Sequence, residues 1–82
     1  DPAFIATGIR VQQASVVGGS HLRFTARQGG YSLPCIAFGM GELVDQLDGE
    51  VDILFSAGFN EWRGRSDIQL RIKDLRSAGS RS

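Results

Sequence analysis

Apolar and polar residues alternate with period two through most of the chain. In Leu22-Arg23-Phe24-Thr25-Ala26-Arg27 every second residue is apolar, the pattern of a strand with one buried face, and Arg23, Thr25 and Arg27 fall on the other. Gly29-Gly30 then separates this run from Tyr31–Phe38 as a two-residue hairpin turn requiring positive φ would. The second run is apolar on both faces. Pro34 has no N–H to give to a ladder, which predicts an edge position or a bulge there. Phe4 to Val17 reads as one long strand bent near Gly8, with Ile9 and Val11 inward and Arg10 and Gln12 outward, ended by Gly18-Gly19. Val51–Phe59 resumes the alternation, and Asp67–Asp74 carries it most cleanly. Between these two, Asn60–Ser66 predicts a polar, glycine-containing loop.

Alternation gives way to helical spacing once, where Leu43, Val44 and Leu47 recur among acidic residues before Asp48-Gly49, and a short helix is expected within residues 42–48. The order is then three strands, a short helix and two strands. That is the element order of the OB-fold, an all-β, five-stranded Greek-key barrel with its helix between strands three and four; small SH3-like barrels normally lack the helix. The expected core is Leu22, Phe24, Ile53, Phe55, Ile68, Leu70 and Ile72, with Phe4, Phe38 and Phe59 also on apolar strand faces and Cys35 an inert buried thiol.

Eighty-two residues allow one domain. The domain is expected over residues 1–76, followed by a polar, disordered tail over 77–82. The chain opens Asp1-Pro2-Ala3-Phe4 without an initiator Met and reads as a domain cut from a longer protein. No stretch has the ~20 apolar residues of a membrane span, no targeting segment is apparent, and the unpaired Cys35 fits a reducing cytoplasm. One Cys and one His leave no material for a disulfide framework, a Cys-based zinc site or a nucleophilic triad. Asp45, Asp48, Glu50 and Asp52 lack the spacing of a calcium loop, so no catalytic and no metal-binding residue is expected.

Nine Lys and Arg balance nine Asp and Glu, which excludes a global electrostatic grip on nucleic acid but not a local one. The distribution is uneven. Residues 10–27 hold Arg10, Arg23 and Arg27 with no acid, whereas residues 42–52 hold five acids and no base. Outward arginines on a barrel strand, Arg63 and Arg65 in the predicted loop and Arg71 on the last strand are candidates for phosphate contacts. Trp62 beside Arg63, and Tyr31 after the glycine turn, are candidates for base stacking. Each has a plainer reading: arginines that pair with neighbouring carboxylates on a solvated face, and a tryptophan that caps one mouth of the barrel. His21 likewise is either a phosphate contact or a plain surface histidine.

Several strings, in order, carry a resemblance: Gly19-Ser20-His21-Leu22-Arg23-Phe24, Ile36-Ala37-Phe38-Gly39, Val51-Asp52-Ile53, Asn60-Glu61-Trp62-Arg63-Gly64 and Ile68-Gln69-Leu70-Arg71-Ile72-Lys73-Asp74. Together with Asp1-Pro2-Ala3-Phe4 they resemble the OB domain of the RecJ family, single-stranded-DNA-specific exonucleases of the DHH phosphoesterase superfamily, over residues 1–76. The resemblance implies a module that binds single-stranded DNA for 5′ to 3′ degradation in recombination and repair. It also implies Mn²⁺ or Mg²⁺ in a DHH catalytic core whose motifs this chain lacks, so that no cofactor and no hydrolysis are expected of these residues alone. The strings at Asn60, Trp62, Gly64, Gln69, Leu70, Ile72 and Asp74 read as turn and barrel positions more than as a ligand-contact code. The alternative is a structural domain that packs on the nuclease core or docks another repair protein.

Overall fold

The computed structural model describes residues 2–47, 49–62 and 64–78, with backbone alone at positions 60–62, 65 and 66. Its strands are β1 (Phe4–Val17), β2 (His21–Gln28), β3 (Tyr31–Ala37), β4 (Glu50–Trp62) and β5 (Arg65–Ser77), with a 3-10 helix at Gly41–Gln46. They close into a barrel in the order β1-β2-β3-β5-β4, all neighbours antiparallel except β3 and β5. This is the expected five-stranded barrel with a helix between strands three and four.

β1 serves two neighbours because it bends. Phe4–Arg10 pairs with Glu50–Phe55 of β4, and Arg10–Val17 pairs with His21–Arg27 of β2. The bend falls in the register shift between Ala6 and Ile9, where Gly8 adopts φ +68°, a conformation that a side chain disfavours. A second shift, between Gln12 and Ser15, places Gln13 at φ +56° and has no glycine to announce it. Tyr31–Pro34 pair with β2 only, while the recorded pairs with β5 are Cys35↔Leu70 and Ile36↔Arg71, so Pro34 lies on a stretch with one open edge.

The helical segment is 3-10 rather than α and begins one residue early. Six residues without a side-chain cap give little room for α-helical bonding, and the segment is fixed instead by packing: Leu43, Val44 and Leu47 lie against the core. Gly41 donates its N–H to the Ser20 carbonyl at 2.8 Å, and a Cβ there would meet that carbonyl at 2.8 Å, so only glycine allows the approach.

The barrel interior is Ile9, Leu22, Phe24, Ala26, Cys35, Ala37, Val51, Ile53, Leu70 and Ile72. Phe55 is half-buried, and two groups of expected core residues are corrected. Ile68 is 45% exposed, and Phe4, Phe38 and Phe59 are more than half exposed. The polar segment 60–66 is likewise not a loop. β4 and β5 continue pairing through Trp62↔Arg65, and Gly64, between the two strands, adopts φ +76°. Since β1 stops at Phe4↔Phe55 and the recorded β3 pairing at Cys35↔Leu70, the hairpin beyond these points is a two-stranded arm. Phe59↔Ile68 sits on it, on the core-facing side but past the core. β5 runs through Ser77, the first residue of the expected tail, and residues 79–82 lie outside the described ones.

Candidate nucleic-acid interface

Strand parity sorts the side chains of β2 and β3. Leu22, Phe24 and Ala26 point into the barrel, so His21, Arg23, Thr25 and Arg27 stand on its outer face. Cys35 and Ala37 point inward, so Ser32, Pro34 and Ile36 share that outer face, and Phe38 lies in the turn just past the strand. Cross-strand register then assembles rows. Ser15, Arg23, Ile36, Arg71 and Ser56 are successive neighbours across five strands. A second row joins Arg10, Arg27 and Ser32. Arg23 and Arg27 are thus separated along β2 by four residues, about 13 Å.

This face has no carboxylate of its own, since residues 2–41 contain Arg10, Arg23 and Arg27 and not one Asp or Glu. The plainer reading of the arginines requires acid partners. Among the described residues the ion pair is Arg76–Asp74 at 3.5 Å, and Arg10, Arg23, Arg27 and Arg71 have neither an ion pair nor a side-chain hydrogen bond. Arg10 stands directly opposite Arg27, a like-charge pairing that costs stability in a sheet. Its other neighbour is Glu50, and the three line a polar cleft of about 270 Å³ with Gly8, Gln28 and Gly29. With Glu50 the one acid that lines their cleft, the exposed arginines leave an excess of positive charge, and the surface attracts anions.

The remaining candidates divide. Arg71 is exposed on the same face, its Nε close over Gly58, where a Cβ would approach it to 3.0 Å. Tyr31 is 81% exposed but has core-side parity: with Leu33, Phe55 and Leu70 it lines an apolar cavity of about 200 Å³ at the barrel mouth, away from the arginines. Trp62 and Arg65 form the last pair of the arm, their side chains lying outside the described residues, as does Arg63 altogether. Residues that the sequence reading places elsewhere also belong to the face. Phe38, expected in the core, is 61% exposed there, its ring edge-on to His21 with centroids 5.2 Å apart. Phe38 follows the last residue of β3 and opens the turn whose Gly39 bonds His21, so its ring contact with His21, not strand parity, places it.

Among the described residues no three His, Cys, Asp or Glu side chains converge as metal ligands, and the Mn²⁺ or Mg²⁺ implied by the resemblance has no matching donor set here. Cys35 is fully buried, and burial pushes its thiol up to about 12 against the opposing effect of a backbone hydrogen bond with Ala26, so it stays protonated and unreactive at neutral pH. No helix of the described residues is long and apolar enough to cross a membrane.

Comparison with known proteins adds the following. The family model of the RecJ OB domain matches residues 1–74. RecJ of Thermus thermophilus, in its Mg²⁺ complex, superposes with a TM-score of 0.69 at 28% identity, covering 93% of this chain and 11% of that one. A putative aspartyl-tRNA synthetase from Leishmania major Friedlin gives a TM-score of 0.72 at 20% identity, over 95% of this chain and 18% of that one. The SSB domain of a Synechococcus protein gives 0.69 at 12% identity, over 94% and 96%. The latter two likenesses show the OB fold alone. The chain therefore spans less than a fifth of the synthetase and of RecJ. No significantly similar sequence is found among curated proteins.

Proposed function

The chain belongs to the RecJ OB domain family, and from that membership we propose that it binds single-stranded DNA for a RecJ-like 5′ to 3′ exonuclease in recombination and repair, guiding the strand to a DHH core elsewhere in the parent protein. The observation that carries the reading is the outer face of β2 and β3, with Arg23, Arg27 and the adjacent Arg71 free of acid partners among the described residues. Phosphates are the counter-charges such a face lacks. Three to four contacts give a log–log salt slope of about −2 to −3, since each contact to a single strand contributes ~0.7. Base sequence is read weakly, because backbone contacts carry no sequence information. Trp62 and Arg65, the last pair of the arm, and Arg63, between them in sequence, extend the same proposal beyond the barrel.

A second role is favoured by a different surface. Tyr31, Phe59 and Ile68 expose apolar area at the barrel mouth and on the arm, on the core-side parity, which suits packing against the nuclease portion of the parent. The two roles use different faces and do not compete.

An NMR titration of the chain with oligothymidylate at low salt tests the proposal. Amides of β2 and β3 should shift progressively while Ile5 and Leu54, on the outer face of β1 and β4, stay in place. Absence of any shift, or shifts confined to the barrel mouth, would overturn it.

A further inference from the structure

Phe38 is the first residue past β3, in the turn that follows Ala37, and is 61% exposed. A single exposed aromatic is common on protein surfaces and means little by itself. This one is held. Its ring meets His21 edge-on, at 5.2 Å between centroids and 76° between planes. The imidazole is fixed in turn from two sides: its Nδ1 accepts the Gly39 N–H at 2.9 Å, and its Cδ2 packs so close to Gly18 that a Cβ there would lie 3.1 Å away. Both glycines take positive φ, +60° at Gly18 and +74° at Gly39, so the two turns that clamp the histidine are shaped by residues without side chains. A short aromatic pair is thereby set at one end of the arginine face, and its ordering cost on binding is small.

Its position relative to charge is the second observation. Arg23 is the next outward residue after His21 on β2, about 7 Å along the strand, and pairs with Ile36, two residues before Phe38 in the chain. The strand position of Arg23 thus lies one side-chain repeat from that of the His21 on which the Phe38 ring packs, and a cation near an exposed ring is the combination by which single-stranded nucleic acid is held: backbone on the cation, base on the aromatic. The other exposed aromatics of the described residues do not share this placement. Phe4 packs on Phe55, Tyr31 lines the mouth cavity, and Phe59 lies on the core side of the arm.

We propose that Phe38, set in place by His21, is a stacking platform for one nucleobase of a strand whose phosphate is held by Arg23. The inference rests on the DNA-binding reading and adds a base contact on the barrel itself to the phosphate contacts of its arginines. Stacking is indifferent to which base is present, so the site takes any nucleotide of a single strand and no base locked in a duplex.

The test compares the chain with Phe38→Ala and Phe38→Trp for binding to oligothymidylate and to an abasic oligomer of equal length. Phe38→Ala should weaken oligothymidylate binding about tenfold, the usual size of one lost stack. It should leave the salt slope and abasic binding unchanged, and Phe38→Trp should restore affinity. Equal affinity of parent and Phe38→Ala for oligothymidylate overturns the platform but leaves the arginine face standing, as does an equal loss on both ligands. Failure of the parent to bind either oligomer overturns both.

Discussion

The outer face of β2 and β3 and the outer face that β1 shares with β4 and the end of β5 arise from the same alternation, yet their charges are employed differently. On the second, Asp52 accepts the Gly8 N–H at 3.0 Å, across the bend of β1. Asp74 accepts the Leu75 N–H at 2.9 Å and meets Arg76 at 3.5 Å. Those carboxylates are occupied with the backbone and with a basic neighbour. On the first, Arg10, Arg23, Arg27 and Arg71 have no partner among the described residues, and Arg10 and Arg27 are placed opposite each other. Net charge conceals this, since the nine cations and nine anions cancel. Availability of charge on a face, rather than its sum over the chain, marks the surface suited to a polyanion.

Breaking the support common to both faces should have the largest effect. Phe24 is 2% exposed on the inner side of β2, between Arg23 and Thr25, and Phe24→Ala should lower unfolding free energy by about 3–5 kcal/mol in urea titrations, weakening DNA binding only in proportion to the unfolded fraction. Next is a change confined to the acidic face. Asp52→Ala removes the acceptor at the β1 bend and should cost about 1–2 kcal/mol of stability with no change in oligonucleotide affinity once the chain is folded. A loss of affinity there would show that the faces are not independent. The smallest effect belongs to Asp45→Asn with Asp48→Asn. Those residues fall in the chain between β3 and β4, their field is screened over about 10 Å at 0.1 M salt, and binding should be equal or at most about twofold tighter by fluorescence anisotropy.

Much of this architecture is legible in the chain because period two records which face a residue occupies. The outward arginines follow from it, while the end of β1, its bend and the open edge of β3 follow from Gly18-Gly19, Gly8 and Pro34. Period two does not record depth. Phe59 and Ile68 have the parity of core residues but lie where β4 and β5 have outrun the barrel, so the same pattern leaves them in solvent. Asn60, Glu61 and Trp62 pair with Asp67, Ser66 and Arg65 although their stretch carries no alternation, and a polar strand without it resembles a loop in the sequence. Phe38 looks like core in the sequence because it continues the apolar run of β3, whereas the strand ends at Ala37 and the following turn sets Phe38 against His21. The bulge at Gln13 carries no residue signal, as φ +56° there is imposed by the pairing on either side.

The arginine face is tested most directly by measuring oligothymidylate affinity against salt for the parent and for Arg23→Ala with Arg27→Ala. Loss of two phosphate contacts should weaken binding roughly thirtyfold at low salt, taking each charged contact as about 1 kcal/mol at an exposed site. The log–log slope should fall in magnitude by about 1.4. A double variant that keeps both the affinity and the slope of the parent would contradict the account and leave the domain a structural one.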